Sequence, residues 1–316
     1  MTTVLYSHPI FLNHDTGYGH PECADRLRSI ESALQEPEFK DLYWKQAPKG
    51  TLDQILIVHP REYIERIFRA IPARGTGYID GDTVVSKDSG EAALHAVGAV
   101  CDAVDMLMSG QAHNAFCAVR PPGHHAETKR AMGFCLFNNV AIAANHARRH
   151  HGLKRVAIVD FDVHHGNGTQ EIFYKDPDIL YASTHQMPLY PGTGRRSETG
   201  AGNIFNAPLL PGDGSSAFQK AMQDIIFPAL NEFKPEMILI SAGFDAHQSD
   251  PLASLNFTDD DYAWVTRELL DLADQHCAGK IVSTLEGGYN LKALASSTAA
   301  HVSEMMKHGR NNRSSA

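Results

Sequence analysis

Six short apolar runs, five of them closed at the carboxyl end by a polar segment, constrain this chain more than anything else in it. The runs are Thr3–Ser7, Asn114–Val119, Arg155–Asp160, Ile179–Ser183, Met237–Ser241 and Lys280–Thr284. They are apolar on both faces rather than alternating, which suits strands of a parallel sheet covered on both sides. Helical patterns over Ser89–Met108, Asn138–His151, Ser215–Phe233 and Asp259–Cys277 lie between them. Strand alternating with helix predicts an α/β fold with a parallel sheet. In such sheets ligands bind at the carboxyl ends of the strands. That is where this chain places RPPGHH, FDVHHGNG, THQ, AGFDAH and LEGGYN. Five such segments should converge on one edge.

No repeat, low-complexity block or long linker divides the 316 residues. One catalytic domain over 1–308 is expected, with 309–316 as a disordered tail. A hydrophobic content of 43% supports a core, and no apolar run reaches the roughly 18 residues that would span a bilayer. The opening MTTVLYSHPI lacks the basic and apolar regions of a secretory signal. A formal charge of −9 argues against a partner that is nucleic acid or anionic membrane. The five cysteines are odd in number and form no CxxC pair, so a reducing, cytoplasmic setting is expected.

The chemistry concentrates around Asp160-Phe161-Asp162-Val163-His164. In extended backbone, residues two apart share a side, so two carboxylates and one imidazole would face one way. Such carboxylates repel unless a cation sits between them. Asp162 and His164 can supply an oxygen and a nitrogen to zinc, and Asp245 a third ligand. Three protein ligands leave a position open, as catalytic zinc sites require. Read alone, the same motif also suits a solvated turn with an Asp cap. The pair His124-His125 follows two prolines that stiffen its approach, with Gly123 permitting an unusual backbone angle. A neutral histidine there could take a proton from water and return one to a leaving amine. By contrast, His150-His151 reads as an exposed pair at a helix end. Tyr289, after Gly287-Gly288, could donate to a developing oxyanion.

RPPGHH, DFDVHHGNG, SAGFDAH and LEGGYN, in this order and spacing, resemble the zinc-dependent histone deacetylase family, which includes bacterial deacetylase-like amidohydrolases. The likeness runs from about Tyr6 to Met306. His20-Pro21-Glu22, Asp25-Arg26-Leu27 and the glutamate of LEGGYN resemble the class II branch. The resemblance implies a single-domain arginase/deacetylase fold with a central, mainly parallel eight-stranded sheet flanked by helices. It implies Asp162, His164 and Asp245 as zinc ligands, and His125 as general base and then acid with His124 assisting. Asp160 would orient His124, and Tyr289 would polarise the substrate carbonyl. Gly133, Phe134 and Tyr190 would line an acyl-lysine tunnel, with Leu252 and Asp82 at its rim. A structural potassium is implied at the Asp160, Asp162 and Ser183 side chains and carbonyls near His164 and Thr184. A second monovalent site is implied near Phe173, Asp176 and Ile179.

Asn167 departs from the pattern, standing where many class I members carry aspartate beside the second histidine. At the rim, Leu252 stands where polyamine-selective relatives can carry glutamate. The implied activity is hydrolysis of N-acetyl-lysine in a peptide, or of a small acyl-amine. Acetylpolyamine hydrolysis is the alternative, and the acidic charge would favour its cationic substrate. An arginase-like ureohydrolase would need further bridging carboxylates, and a non-catalytic acyl-lysine reader would not need the full set of catalytic residues present here. A homo-oligomer remains open on sequence grounds.

Overall fold

The six apolar runs form strands, and two further segments complete the sheet at its edges. The computed structural model describes residues 2–311, with side chains to His308. The strands are β1 (Thr3–Ser7), β2 (Tyr43–Gln46), β3 (Thr76–Tyr78), β4 (Val84–Ser86), β5 (Asn114–Cys117), β6 (Val156–Asp160), β7 (Ile179–Gln186), β8 (Ile204–Leu209), β9 (Met237–Ala242) and β10 (Ile281–Leu285). Eight form one sheet in the order β2-β1-β5-β10-β9-β6-β7-β8. Every pairing within it is parallel. β3 and β4 form a separate antiparallel pair.

The helices are α1 (Asp25–Leu34), α2 (Leu52–Leu56), α3 (Arg61–Ala70), α4 (Ser89–Met108), α5 (Asn139–His151), α6 (Asn167–Phe173), α7 (Ser215–Ala221), α8 (Phe227–Phe233), α9 (Asp259–Cys277) and α10 (Leu291–Asn311). Local chemistry sets their ends. Asn138 caps α5 by accepting the Ala141 N–H, and left-handed Gly152 closes it. Thr258 and Asp261 form a capping box on α9, whose first turn carries three aspartates. Such a cap contributes about 1 kcal/mol. The helix expected over Ser215–Phe233 is interrupted by a π-helical turn, Met222–Ile226, between α7 and α8. α10 continues to Asn311, into the segment expected as tail, and 312–316 lie outside the described residues.

Burial explains the strand composition. Val156, Ala157, Ile158 and Val159 are all fully buried, as are Ile238, Leu239 and Ile240 on the neighbouring strand. Each large apolar side chain so removed from water contributes about 1.5–3 kcal/mol. Buried on both faces, these central strands cannot show polar alternation. Among the described residues, no helix is long and apolar enough to cross a membrane.

Candidate active site

β6 ends at Asp160, so the Asp160–His164 motif lies in a loop and not, as its spacing suggests, in extended strand. Side-chain-to-backbone turns produce the facing instead. Asp160 Oδ1 accepts the Asp162 N–H at 3.1 Å, and Asp162 Oδ1 accepts the His164 N–H at 2.8 Å. Phe161 and Val163 are fully buried. Asp245 comes from the loop after β9, and its Oδ1 accepts the Val163 N–H at 2.9 Å. Its other oxygen and Asp162 Oδ1 both lie 3.1 Å from His164 Nδ1. Ligand atoms of Asp162, His164 and Asp245 thus fall within 4.8 Å of one another.

The surroundings suit a divalent cation. Both aspartates are fully buried, with Asp160 and Glu286 buried beside them. Burial and the Asp162 charge push Asp245 up to about 7. Burial opposes a charged His164, but hydrogen bonds to Asp162 and Asp245 hold it at about 10. Without a cation, protons must neutralise this cluster. Two glycines leave room for one: a Cβ on Gly243 would lie 2.0 Å from Asp162 Oδ2, and one on Gly287 2.0 Å from Asp245 Oδ2. The donor set of two carboxylates and one imidazole suits zinc.

Two other groups of histidine and aspartate resemble such a site only by composition. In Asp105–His146–His151 both imidazoles lie 2.6–2.7 Å from one carboxylate oxygen. In the set His113–Asp274–His308, His308 bonds Asp274 at 2.6 Å. Ligand atoms around tetrahedral zinc stand about 3.3 Å apart, so these are hydrogen-bonded pairs. His151 is therefore tied down and half-buried, and only His150 of that pair is exposed as expected.

Above the cradle stand the tandem histidines. His124 Nδ1 lies 3.0 Å from Asp160 Oδ2, and the two histidine rings are 4.0 Å apart. Burial opposes protonation of His124, yet Asp160, Asp162 and Glu286 raise it to about 10. His125 is the opposite case. Burial, then the charges of His124 and His164, hold it well below the usual histidine range. Its Nδ1 lies 2.9 Å from Asn167 Oδ1. Gly123 does not take the unusual backbone angle expected of it. It is glycine because a Cβ would lie 2.6 Å from the Asn139 nitrogen.

Tyr289, His125, His164, Gly133, Phe134, Leu189, Tyr190, Leu252 and Asp82 line one cavity of about 210 Å³. The Tyr190 ring meets His125 edge-on at 5.2 Å, and Phe134 meets Tyr289 at 6.0 Å. Phe134, whose ring lines the wall, holds a left-handed φ of 69° that a non-glycine residue adopts only under strain. Asp82 Oδ1 accepts the Gly133 N–H at 3.2 Å, tying the rim to that wall. Leu252 and Tyr190 are partly exposed at the mouth.

Several supporting residues carry no strong local signal. Glu286 accepts the Gly123 and His124 N–H groups at 2.7 and 3.1 Å, joining the tyrosine loop to the histidine loop. Glu22 bonds both Arg26 and Arg120, all three fully buried. Arg26 in turn donates to the carbonyls of Glu286 and Gly288. Asp250 accepts the Tyr289 N–H at 2.7 Å. Glu22, Arg26 and Glu286 are visible in the sequence only as marks of a class II resemblance. Around Asp160, β7 places Ser183 in register, and the buried Thr184 hydroxyl has no partner among the described residues.

A histone deacetylase domain model matches residues 20–305. The chain belongs to the histone deacetylase family. It is 42% identical to Histone deacetylase 14, chloroplastic, of Arabidopsis thaliana, covering 94% of this chain and 75% of that one. It is 40% identical to a histone deacetylase-like amidohydrolase of Pseudomonas aeruginosa, covering 86% and 73%. A crystal structure of the HDA15 HD domain superposes with a TM-score of 0.92 at 36% identity, over 97% of this chain and 90% of that one. Histone deacetylases are generally zinc-dependent, which accords with the donor set at the cradle. The deacetylase and amidohydrolase relatives make this chain a hydrolase of the same family.

Proposed function

We propose that the protein hydrolyses the amide of N-acetyl-lysine in peptides, or of a similar acyl-amine, with zinc held by Asp162, His164 and Asp245. The carrying observation is that these three groups come within 4.8 Å of one another and that one of them, His164, lines a cavity also lined by His125 and Tyr289. Zinc, when bound, supplies a Lewis acid and lowers the pKa of a water from about 15.7 toward 7. His125, neutral and held as the Nδ1–H tautomer by Asn167, presents Nε2 to accept a proton from the attacking water. The same nitrogen then protonates the departing amine, which leaves poorly as an anion. Tyr289 keeps its proton, since burial raises its phenol well above the usual range, and so serves as a donor to the oxyanion. His124, paired to Asp160, contributes positive charge beside the reacting carbonyl. Phe134 and Tyr190 exclude water from the acyl-lysine stem.

Potassium would be held by Asp160, Asp162 and Ser183 with carbonyls near His164 and Thr184. It would balance buried carboxylate charge there, and the unpartnered Thr184 hydroxyl favours an ion or water nearby. A reducing, cytoplasm-like compartment fits five unpaired cysteines.

A second reading, acetylpolyamine hydrolysis, is favoured by the net charge of −9 but not by Leu252, which offers no charge to a distant ammonium. Zinc-loaded protein assayed on an acetyl-lysine peptide beside acetylated putrescine and spermidine separates the two. Higher kcat/KM on the peptide is expected. Preference for the polyamines would overturn the peptide assignment, and hydrolysis of neither would overturn both.

A further inference from the structure

The second monovalent cation that the deacetylase resemblance implies, in the turn Phe173–Ile179, does not fit the residues present. Three main-chain carbonyls of that turn aim at a single atom. Those of Phe173, Asp176 and Ile179 accept from Nδ2 of Asn203 at 2.9, 3.0 and 2.7 Å. The amide cannot simply be turned over, because its Oδ1 accepts the Ala201 N–H at 3.0 Å. Its backbone is committed too, the Asn203 carbonyl accepting the Tyr181 N–H at 3.0 Å. Asn203 is 4% exposed. A carboxamide nitrogen carries two hydrogens, so three acceptors exceed its donors. Oxygens gathered around one centre in this way form the shell that carbonyls present to a bare monovalent ion.

The remaining polar groups of the turn agree. Two of the three carbonyls also accept backbone N–H groups, Phe173 from Asp176 at 3.0 Å and Asp176 from Ile179 at 3.2 Å. The nearby carboxylates of Asp176 and Asp178 are matched by Arg148 at 2.6 and 3.1 Å. Little uncompensated charge is left to recruit a cation.

We propose that the Asn203 side-chain amide occupies the cation position in this turn, so that the lead into β7 is anchored by a built-in donor and needs no bound ion. The anchor matters for the site because β7 carries Ser183 beside Asp160. Its strength should not depend on which salt is present.

The test compares wild type with Asn203→Ala, and with Asn203→Ser should the alanine variant fail to fold. Crystals of each are grown in rubidium chloride and the anomalous signal is mapped. Melting temperatures are measured in potassium chloride and in tetramethylammonium chloride at equal ionic strength. Wild type is expected to show no rubidium in contact with the three carbonyls, whereas the variant gains a peak there. The variant should also gain several degrees more than wild type from potassium. Any response through Asp160 and Ser183 is common to both proteins and cancels. Rubidium at the turn in wild type would overturn the proposal. So would a folded variant with no peak and an unchanged cation response. Neither readout involves hydrolysis, so the outcome stands apart from the assigned activity.

Discussion

His125 Nδ1 lies 2.9 Å from Asn167 Oδ1, and the Asn167 amide nitrogen donates to Glu127 Oε1 at 2.8 Å. The glutamate fixes which end of the amide faces the histidine. A neutral acceptor therefore sets the His125 tautomer, as a carboxylate would, but adds no charge to stabilise imidazolium. Asn167→Asp supplies that charge and should raise the His125 pKa by about one unit or more. The base must start neutral, so the acidic limb of the kcat/KM profile should move to higher pH by the same amount. A profile unmoved by the substitution would remove His125 from the role of base.

Tyr289 is held from three directions. Its N–H bonds Asp250, its ring lies 5.0 Å from the Arg26 guanidinium, and Phe134 meets it edge-on. Tyr289→Phe keeps these contacts and deletes only the hydroxyl. Turnover should fall by about 10²–10³, the usual loss for one oxyanion donor. Zinc content should stay at the wild-type level. Near-full activity in the variant would sink the assigned role.

Gly287 tests the cradle without replacing a proposed ligand. An added methyl would lie 2.0 Å from Asp245 Oδ2 and 2.6 Å from Asp162 Oδ2. Gly287→Ala should therefore lose most bound zinc while circular dichroism reports a folded chain. Stoichiometric zinc measured in the folded variant would show that the metal lies elsewhere.

The central strands and the candidate metal ligands are legible in the sequence for one reason. A strand buried on both faces is a continuous apolar run, and the first polar residues after it face the edge of the sheet. Asp160 ends such a run, and Asp162, Asp245 and Tyr289 follow one within a few residues. The edge strands are hidden because neither is a continuous apolar run. β2 is mostly exposed, and β8 contains Pro208, which an edge position tolerates. β7 runs three residues further than its apolar stretch, through Thr184-His185-Gln186, because those polar groups are buried and paired with β8. The Asn203 contacts leave no trace in sequence, since its acceptors are backbone carbonyls.

Glu22 shows what the sequence hides by distance. It bonds Arg26 four residues on and Arg120, 98 residues away, with every partner out of water. Burial opposes its charge, but Arg120 holds its carboxyl below the usual range. Glu22→Gln leaves two buried guanidinium groups without their counter-charge. A loss of about 3–5 kcal/mol is expected from breaking such a pair. Urea unfolding at neutral pH measures it. A loss below about 1 kcal/mol would mean that water reaches these arginines.

Buried histidines should govern stability in mild acid. Burial lowers His14, His59 and His185 to about 4 and His301 to about 3. At these four positions the unfolded chain, with histidines near 6.5, binds more protons than the folded one between about pH 6.5 and 4. Their contribution to stability therefore rises with pH across that window and is lost as pH falls through it, opposite in sign to that of Asp245 and Glu286, whose buried carboxyls are raised to about 7. Each such histidine contributes a slope approaching about 1.4 kcal/mol per pH unit near pH 5. His301 isolates the effect, since among the described residues it bonds the Thr266 and Ser283 hydroxyls at 2.6 and 2.9 Å, and burial alone lowers it. His301→Gln keeps a polar group there and removes the titration. Urea unfolding from pH 7 to 4.5 should show the variant losing stability less steeply than wild type, by about that one-histidine slope. Equal slopes in the two proteins would mean that His301 is already protonated in the fold.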